Sequence, residues 1–212
     1  MLTVKSFTFN PASENTYLVY NEKGNAIIFD PGCYFGNEQK QLQSFIEEKG
    51  LKLVQLINTH CHLDHVFGNK WIHKTYGLEL HLHPYEKEIL DNAPQSALRW
   101  GLSIENYSGP LHYLKEGETI TLDDDTLSIL LTPGHSPGSL SFYSEKQGFI
   151  ISGDVLFKES IGRTDLQGGN FETLLNSILT HLFTLPDTTL VYSGHGGTTT
   201  IGHEKKKNPY VR

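Results

Sequence analysis

The segment Asn58-Thr59-His60-Cys61-His62-Leu63-Asp64-His65 closes an apolar run and carries the densest chemistry in the chain. His60, His62, Asp64 and His65 are four potential metal ligands within six residues, far closer than scattered surface imidazoles. In an extended chain alternate side chains face opposite ways, so residues 60, 62 and 64 are expected to point one way and His65 the other. One short segment would then serve two neighbouring ions. Cys61 falls on the face away from its histidine neighbours and is expected to be a packed thiol; Cys33, after Asp30-Pro31-Gly32, is expected to be structural.

Three more candidates follow apolar runs: His135 in Pro133-Gly134-His135-Ser136, Asp154 in Ser152-Gly153-Asp154, and His195 in Ser193-Gly194-His195-Gly196. Strand ends hold side chains rigidly, and the glycine before each residue lets the backbone approach a metal or substrate. Five histidines and two aspartates can fill two metal sites and still leave positions for water. Imidazole and carboxylate suit divalent zinc, iron or manganese. Water on such an ion has a pKa near ~7 instead of ~15.7, and two ions about 3.5–4 Å apart can share a hydroxide while polarising a carbonyl. The chemistry expected is metal-assisted hydrolysis.

The elements that must position these groups are mostly short strands. Runs rich in β-branched and aromatic residues, bounded by Gly, Asp or Pro, predict strands over 2–9, 16–20, 26–29, 53–57, 78–82, 119–122, 127–131, 139–143, 149–152 and 189–192. Phe171, Leu174, Leu175, Ile178, Leu179, Leu182 and Phe183 follow helical spacing along one face. Helices are also expected over 37–49, stopped by Gly50, and over 66–76, stopped by Gly77. Each candidate ligand outside the cluster therefore sits where a strand is expected to end.

Composition narrows the function classes. The 212 residues carry 17 Lys and Arg against 24 Asp and Glu, a net charge of −7, with a pI near 5.8. That balance exerts no general pull on nucleic acid or anionic lipid. The apolar runs are too short to span a bilayer, and Met1-Leu2-Thr3-Val4-Lys5 reads as the start of a strand rather than a leader. Two cysteines make no disulfide framework. The expectation is one cytoplasmic domain over residues 1–212 with no nucleic-acid or membrane partner; the sequence carries no signal for an oligomeric state.

The ordered set His60-x-His62-x-Asp64-His65, His135, Asp154 and His195 resembles the motifs of the metallo-β-lactamase-fold superfamily, and the match spans essentially the whole chain. The resemblance implies an α/β fold, a four-layer αβ/βα sandwich, with His60, His62 and His135 on one metal, Asp64, His65 and His195 on the other, and Asp154 bridging. Asp30 would be the family's first, structural aspartate. Ile161-Gly162-Arg163-Thr164-Asp165 and the ending Thr198 to Tyr210 resemble compact bacterial glyoxalase II-type hydrolases.

That subfamily implies hydrolysis of small-thiol thioesters such as S-lactoylglutathione by a metal-bridging hydroxide, with zinc the first expectation and iron or manganese compatible. A thiolate of pKa near ~8.5 leaves without strong general-acid help. Asp64, besides ligating, would take the proton of the attacking water. Larger glyoxalase II enzymes bind glutathione with a C-terminal helical domain; none is expected after His195, so Arg163 is expected to anchor a substrate carboxylate, with Lys206 in Lys205-Lys206-Lys207 assisting. A structural pair with Asp165 is the competing role for Arg163. The rival activity is mononuclear iron persulfide dioxygenation, since those enzymes share the fold, a Gly-Arg-Thr-Asp segment and often a cysteine between the first two histidines.

Overall fold

The computed structural model describes residues 1–211. Backbone contacts divide the chain into two compact units, Met1–Tyr113 with Leu122–Asp125, and Leu114–Thr121 with Thr126 onward.

The first unit carries β1 (Thr3–Phe9), β2 (Glu14–Tyr20), β3 (Asn25–Phe29), β4 (Lys52–Ile57), β5 (Leu80–Leu82) and β6 (Leu111–Tyr113), paired in that order in one sheet. β1, β2 and β3 pair antiparallel, whereas β3 through β6 pair parallel. Parallel neighbours require crossovers. These are α1 (Gly36–Glu48), then α2 (Leu63–Val66) with α3 (Asn69–Tyr76), then α4 (Lys87–Asp91) with α5 (Ala93–Arg99). Ala26 to Phe29 in β3 are fully buried, as a parallel strand covered on both faces must be. Leu42 and Ile46, one helical turn apart, seat α1 on this core. Glu38 satisfies the start of α1 and the β1–β2 turn together, accepting from the backbone N–H groups of Tyr34, Phe35 and Asn10 at 2.8, 2.9 and 2.7 Å.

The helix expected over 66–76 is two helices broken at Phe67–Gly68. The Gly68 N–H donates to the Pro31 carbonyl at 2.7 Å, and a Cβ on Gly68 would lie 2.5 Å from Cys33 Sγ. A tertiary hydrogen bond and a close approach of backbones override the local periodicity here.

The second sheet runs β14-β13-β10-β9-β8-β7, built from β7 (Thr119–Leu122), β8 (Asp125–Leu131), β9 (Leu140–Ser144), β10 (Phe149–Gly153), β13 (Leu190–Ser193) and β14 (Thr199–Thr200). β10 and β13 are parallel; the crossover between them holds the hairpin β11 (Leu156–Phe157) with β12 (Ser160–Ile161), and α6 (Phe171–Ser177). The chain then forms α7 (Ile201–Lys207). The helix expected from Phe171 to Phe183 widens after Ser177 into a π turn, with Phe183 N–H bonded to Ile178 O at 2.8 Å. Leu174, Ile178 and Leu182 are buried as expected, but Leu179 is 52% exposed, because the wider winding rotates it off the apolar face. The short elements β6, β11, β12, β14, α4, α5 and α7 have no counterpart in the sequence expectations; each is too brief for a periodic signal. The fold is mixed α/β with two six-stranded mixed sheets, the class expected.

Candidate metal centre

The His60 cluster leaves the carboxyl end of β4, the edge where open α/β sheets place their ligands. The extended geometry expected throughout it stops at His62. Leu63 to Val66 form α2, so Asp64 and His65 are neighbours on one helical turn rather than opposed strand residues. The rings gather all the same: the His60 centroid lies 4.1 Å from that of His65 and 4.9 Å from that of His62. His60 and His65 are fully buried.

Which ring nitrogen faces inward is set by neighbours. Asp30, buried and held at φ +46°, accepts from Thr59 N–H and Thr59 Oγ1–H at 2.6 Å each. Its Oδ2 also lies 3.1 Å from His65 Nδ1. Since the Thr59 hydroxyl proton is given to Asp30, its oxygen must accept from His60 Nδ1, 3.1 Å away. Both rings thus carry their proton on Nδ1 and keep Nε2 as the basic nitrogen, the arrangement by which outer groups orient metal-binding histidines. Asp64 Oδ2 lies 3.7 Å from His65 Nε2.

The second unit repeats the device. His135 Nδ1 donates to the Arg163 carbonyl at 2.7 Å, and His135 Nε2 lies 3.4 Å from Asp154 Oδ2. His195 Nε2 lies 3.5 Å from the same oxygen. Two donors each about 2.1 Å from one tetrahedral ion lie roughly 3.4 Å apart. Spacing, tautomers and donor types all fit divalent metal.

Several residues that the sequence did not single out build this geometry. Glu86, fully buried in the turn after β5, accepts from Cys61 N–H at 2.8 Å and fixes the His60–His62 segment. Asn10 donates through Nδ2 to the carbonyls of Gly32 and Asp64 at 3.0 and 2.9 Å. Glu14 is fully buried with Oε1 3.9 Å from His65 Nδ1, and burial pushes its carboxyl well above the usual range. Isolated acids and amides at strand ends and in turns offer no spacing signal that marks them. Gly162 was visible only as part of a motif; a Cβ there would lie 1.9 Å from the Asp154 carbonyl.

Both cysteines are buried and unbridged, and burial pushes both thiols up, so neither is poised as a nucleophile. Arg163 is bonded bidentately to Asp165, at 2.7 Å through Nε and 2.7 Å through the terminal nitrogen. The pair is exposed, and the guanidinium holds the Asp165 carboxyl down at about 2. Lys206 is exposed on the last turn of α7. The remaining histidines serve other contacts: His73 bonds the Leu78 carbonyl, His81 stacks on His112, which meets Glu79, His83 caps the Pro84 turn, and His181 and His203 face Glu116 and Glu159.

A family model described as the metallo-beta-lactamase superfamily matches residues 10–195. The chain is 38% identical over 200 residues to a protein named hydroxyacylglutathione hydrolase GloC of Haemophilus influenzae, covering 93% of this chain and 92% of that one. The crystal structure of the BLEG-1 B3 metallo-beta-lactamase superposes with a TM-score of 0.91 at 37% identity, covering 99% of each chain. That of TTHA1623 in a di-iron-bound form superposes with a TM-score of 0.87 at 35% identity, covering 97% of this chain and 99% of that one.

Proposed function

As this chain belongs to the metallo-beta-lactamase superfamily and is a metallo-hydrolase of that fold, we propose that it hydrolyses small-thiol thioesters such as S-lactoylglutathione. Its likeness to a hydroxyacylglutathione hydrolase supports the substrate class. The observation that supports the metal chemistry is that three imidazoles, His60, His65 and His135, have Nδ1 held by protein oxygen atoms, which makes Nε2 the nitrogen suited to a metal.

In this reading His60, His62 and His135 hold a first divalent ion, Asp64, His65 and His195 a second, and Asp154 is shared. Two such ions would supply Lewis acidity at the thioester carbonyl and a water acidic enough to react at neutral pH. Zinc suits the donor set, and so does iron, the metal in the TTHA1623 structure. Asp30, Thr59 and the Arg163 carbonyl orient the imidazoles and hold their protons on Nδ1. Asp64 orients the water and takes its proton on a carboxylate oxygen. Arg163 and Lys206 supply cationic anchors for substrate carboxylates; for Arg163 that means exchanging Asp165 for the substrate. The protein acts in the cytoplasm on a small thioester, without nucleic acid or membrane.

Metal analysis of purified protein, paired with assays on a glutathione thioester, tests this. Two ions per chain with thioester turnover supports it. Two ions with turnover only of a β-lactam overturns the substrate class. A single iron with thiol-dependent oxygen uptake assigns the persulfide dioxygenase instead.

A further inference from the structure

The hairpin β11–β12 is linked, through the chain or by a ring contact, to every candidate ligand of the second unit. It starts two residues after Asp154; Phe157 packs edge-on to the His195 ring at 6.1 Å; and the strand it ends leads through Gly162 to the Arg163 carbonyl that holds His135. Two strands of two residues each cannot hold such a position alone. Its tip is also strained, since Glu159 is a non-glycine residue at φ +56°.

The tip is gripped from α7. Glu204, fully buried, accepts from Glu159 N–H at 2.9 Å through Oε2 and from Thr199 Oγ1 at 2.5 Å through Oε1. Asn208, one turn on and also buried, donates through Nδ2 to the Ser160 carbonyl at 3.0 Å and to Glu204 Oε2 at 2.9 Å. Every polar atom of this clamp that faces the hairpin bonds backbone, so it specifies where the chain runs and not which side chain it carries.

Resting on the metal reading above, we infer that Glu204 and Asn208 are positioning residues for the metal centre, acting through the 156–161 hairpin on His135, Asp154 and His195. The contribution of the C-terminal helix lies in its buried acid and amide, separate from the exposed lysines between them.

Titration of metal-free protein with Co(II), following the visible ligand-field spectrum, tests this without any turnover. Glu204→Ala should weaken Co(II) binding by about 10- to 100-fold and change the band intensities, as loss of outer-shell support does. Glu204→Gln should bind nearly as the parent does, because a rotated amide can accept at the Oε2 position and donate to Thr199 Oγ1. Ile120→Ala, a buried truncation on β7 at the far edge of the sheet and outside the apolar cluster that holds Leu156 and Ile161, should lower Tm while leaving Co(II) affinity intact. Affinity of Glu204→Ala within twofold of the parent, or an equal loss in Ile120→Ala, overturns the positioning role. If Glu204→Ala does not fold, Asn208→Ala is judged by the same criteria. A parent protein that takes up no Co(II) overturns the metal centre itself.

Discussion

The backbone carbonyl of Arg163 accepts the Nδ1 proton of His135 at 2.7 Å, while its guanidinium is bonded to Asp165. One position therefore orients a candidate ligand, His135, with its main chain and offers a cation with its side chain. The two contributions separate on mutation.

Arg163→Ala keeps the carbonyl and removes the cation. Metal content should be unchanged, whereas kcat/KM for a glutathione thioester should fall roughly 10- to 150-fold, the equivalent of about 1.5–3 kcal/mol. A small uncharged thioester should be hardly affected. Equal losses on both substrates would assign Arg163 to structure alone.

The Arg163–Asp165 pair also makes a pH prediction. The folded-state carboxyl is depressed to about 2, so whatever the pair contributes is present above the ordinary aspartate value near ~3.9 and lost as pH falls through about 2. Between about pH 5 and 9 neither partner changes charge. The pH–rate profile of Asp165→Asn should therefore parallel that of the parent across that window, and a displaced limb would contradict the assignment.

Asp30→Asn tests the orientation of His65. Asparagine tolerates the φ of +46° and can still accept from Thr59 N–H, but its amide would face His65 Nδ1 and Thr59 Oγ1 as a donor. Metal affinity, measured by competition with a chelator, should drop about 10- to 100-fold. Affinity equal to the parent's would show that the tautomer is set elsewhere.

Gly162→Ala should disturb the second unit's ligands with little else changed. The new Cβ would meet the Asp154 carbonyl at 1.9 Å and His135 Cβ at 3.2 Å, and backbone cannot yield as a flexible side chain does. An overpacking cost of about 1–3 kcal/mol is expected, with metal retained per chain after dialysis clearly reduced. Full metal content would show that the hairpin shifts as a body without consequence.

Metal removal should destabilise the chain. An ion present at a thousand times its Kd stabilises by about 4.1 kcal/mol, which corresponds to a Tm rise of roughly 8–16 °C for a chain of this size. Calorimetry of chelator-treated protein before and after adding Zn(II) measures it; coincident melting curves would oppose tight binding to the folded state.

The sequence alone determined the fold class, most strand positions and the identity of the ligand candidates. Those follow from local chemistry: β-branched runs make strands, and His60-x-His62-x-Asp64-His65 is dense enough to be read without a partner. Period and spacing are local properties, so they survive being read in one dimension. What failed was whatever depended on contacts distant in sequence. The turn of α2 cancelled the alternation expected for Asp64 and His65, and a bond from Gly68 to Pro31 cut one expected helix in two. Glu86 carries no motif of its own, and Glu204 and Asn208 were legible only as members of the Thr198 to Tyr210 resemblance. What each of them bonds was decided by folding, which buries it against a particular backbone segment, and burial is what makes a hydrogen bond to that segment decisive. The sequence named the candidate ligands; tertiary structure decided which nitrogen of each ring three of them present.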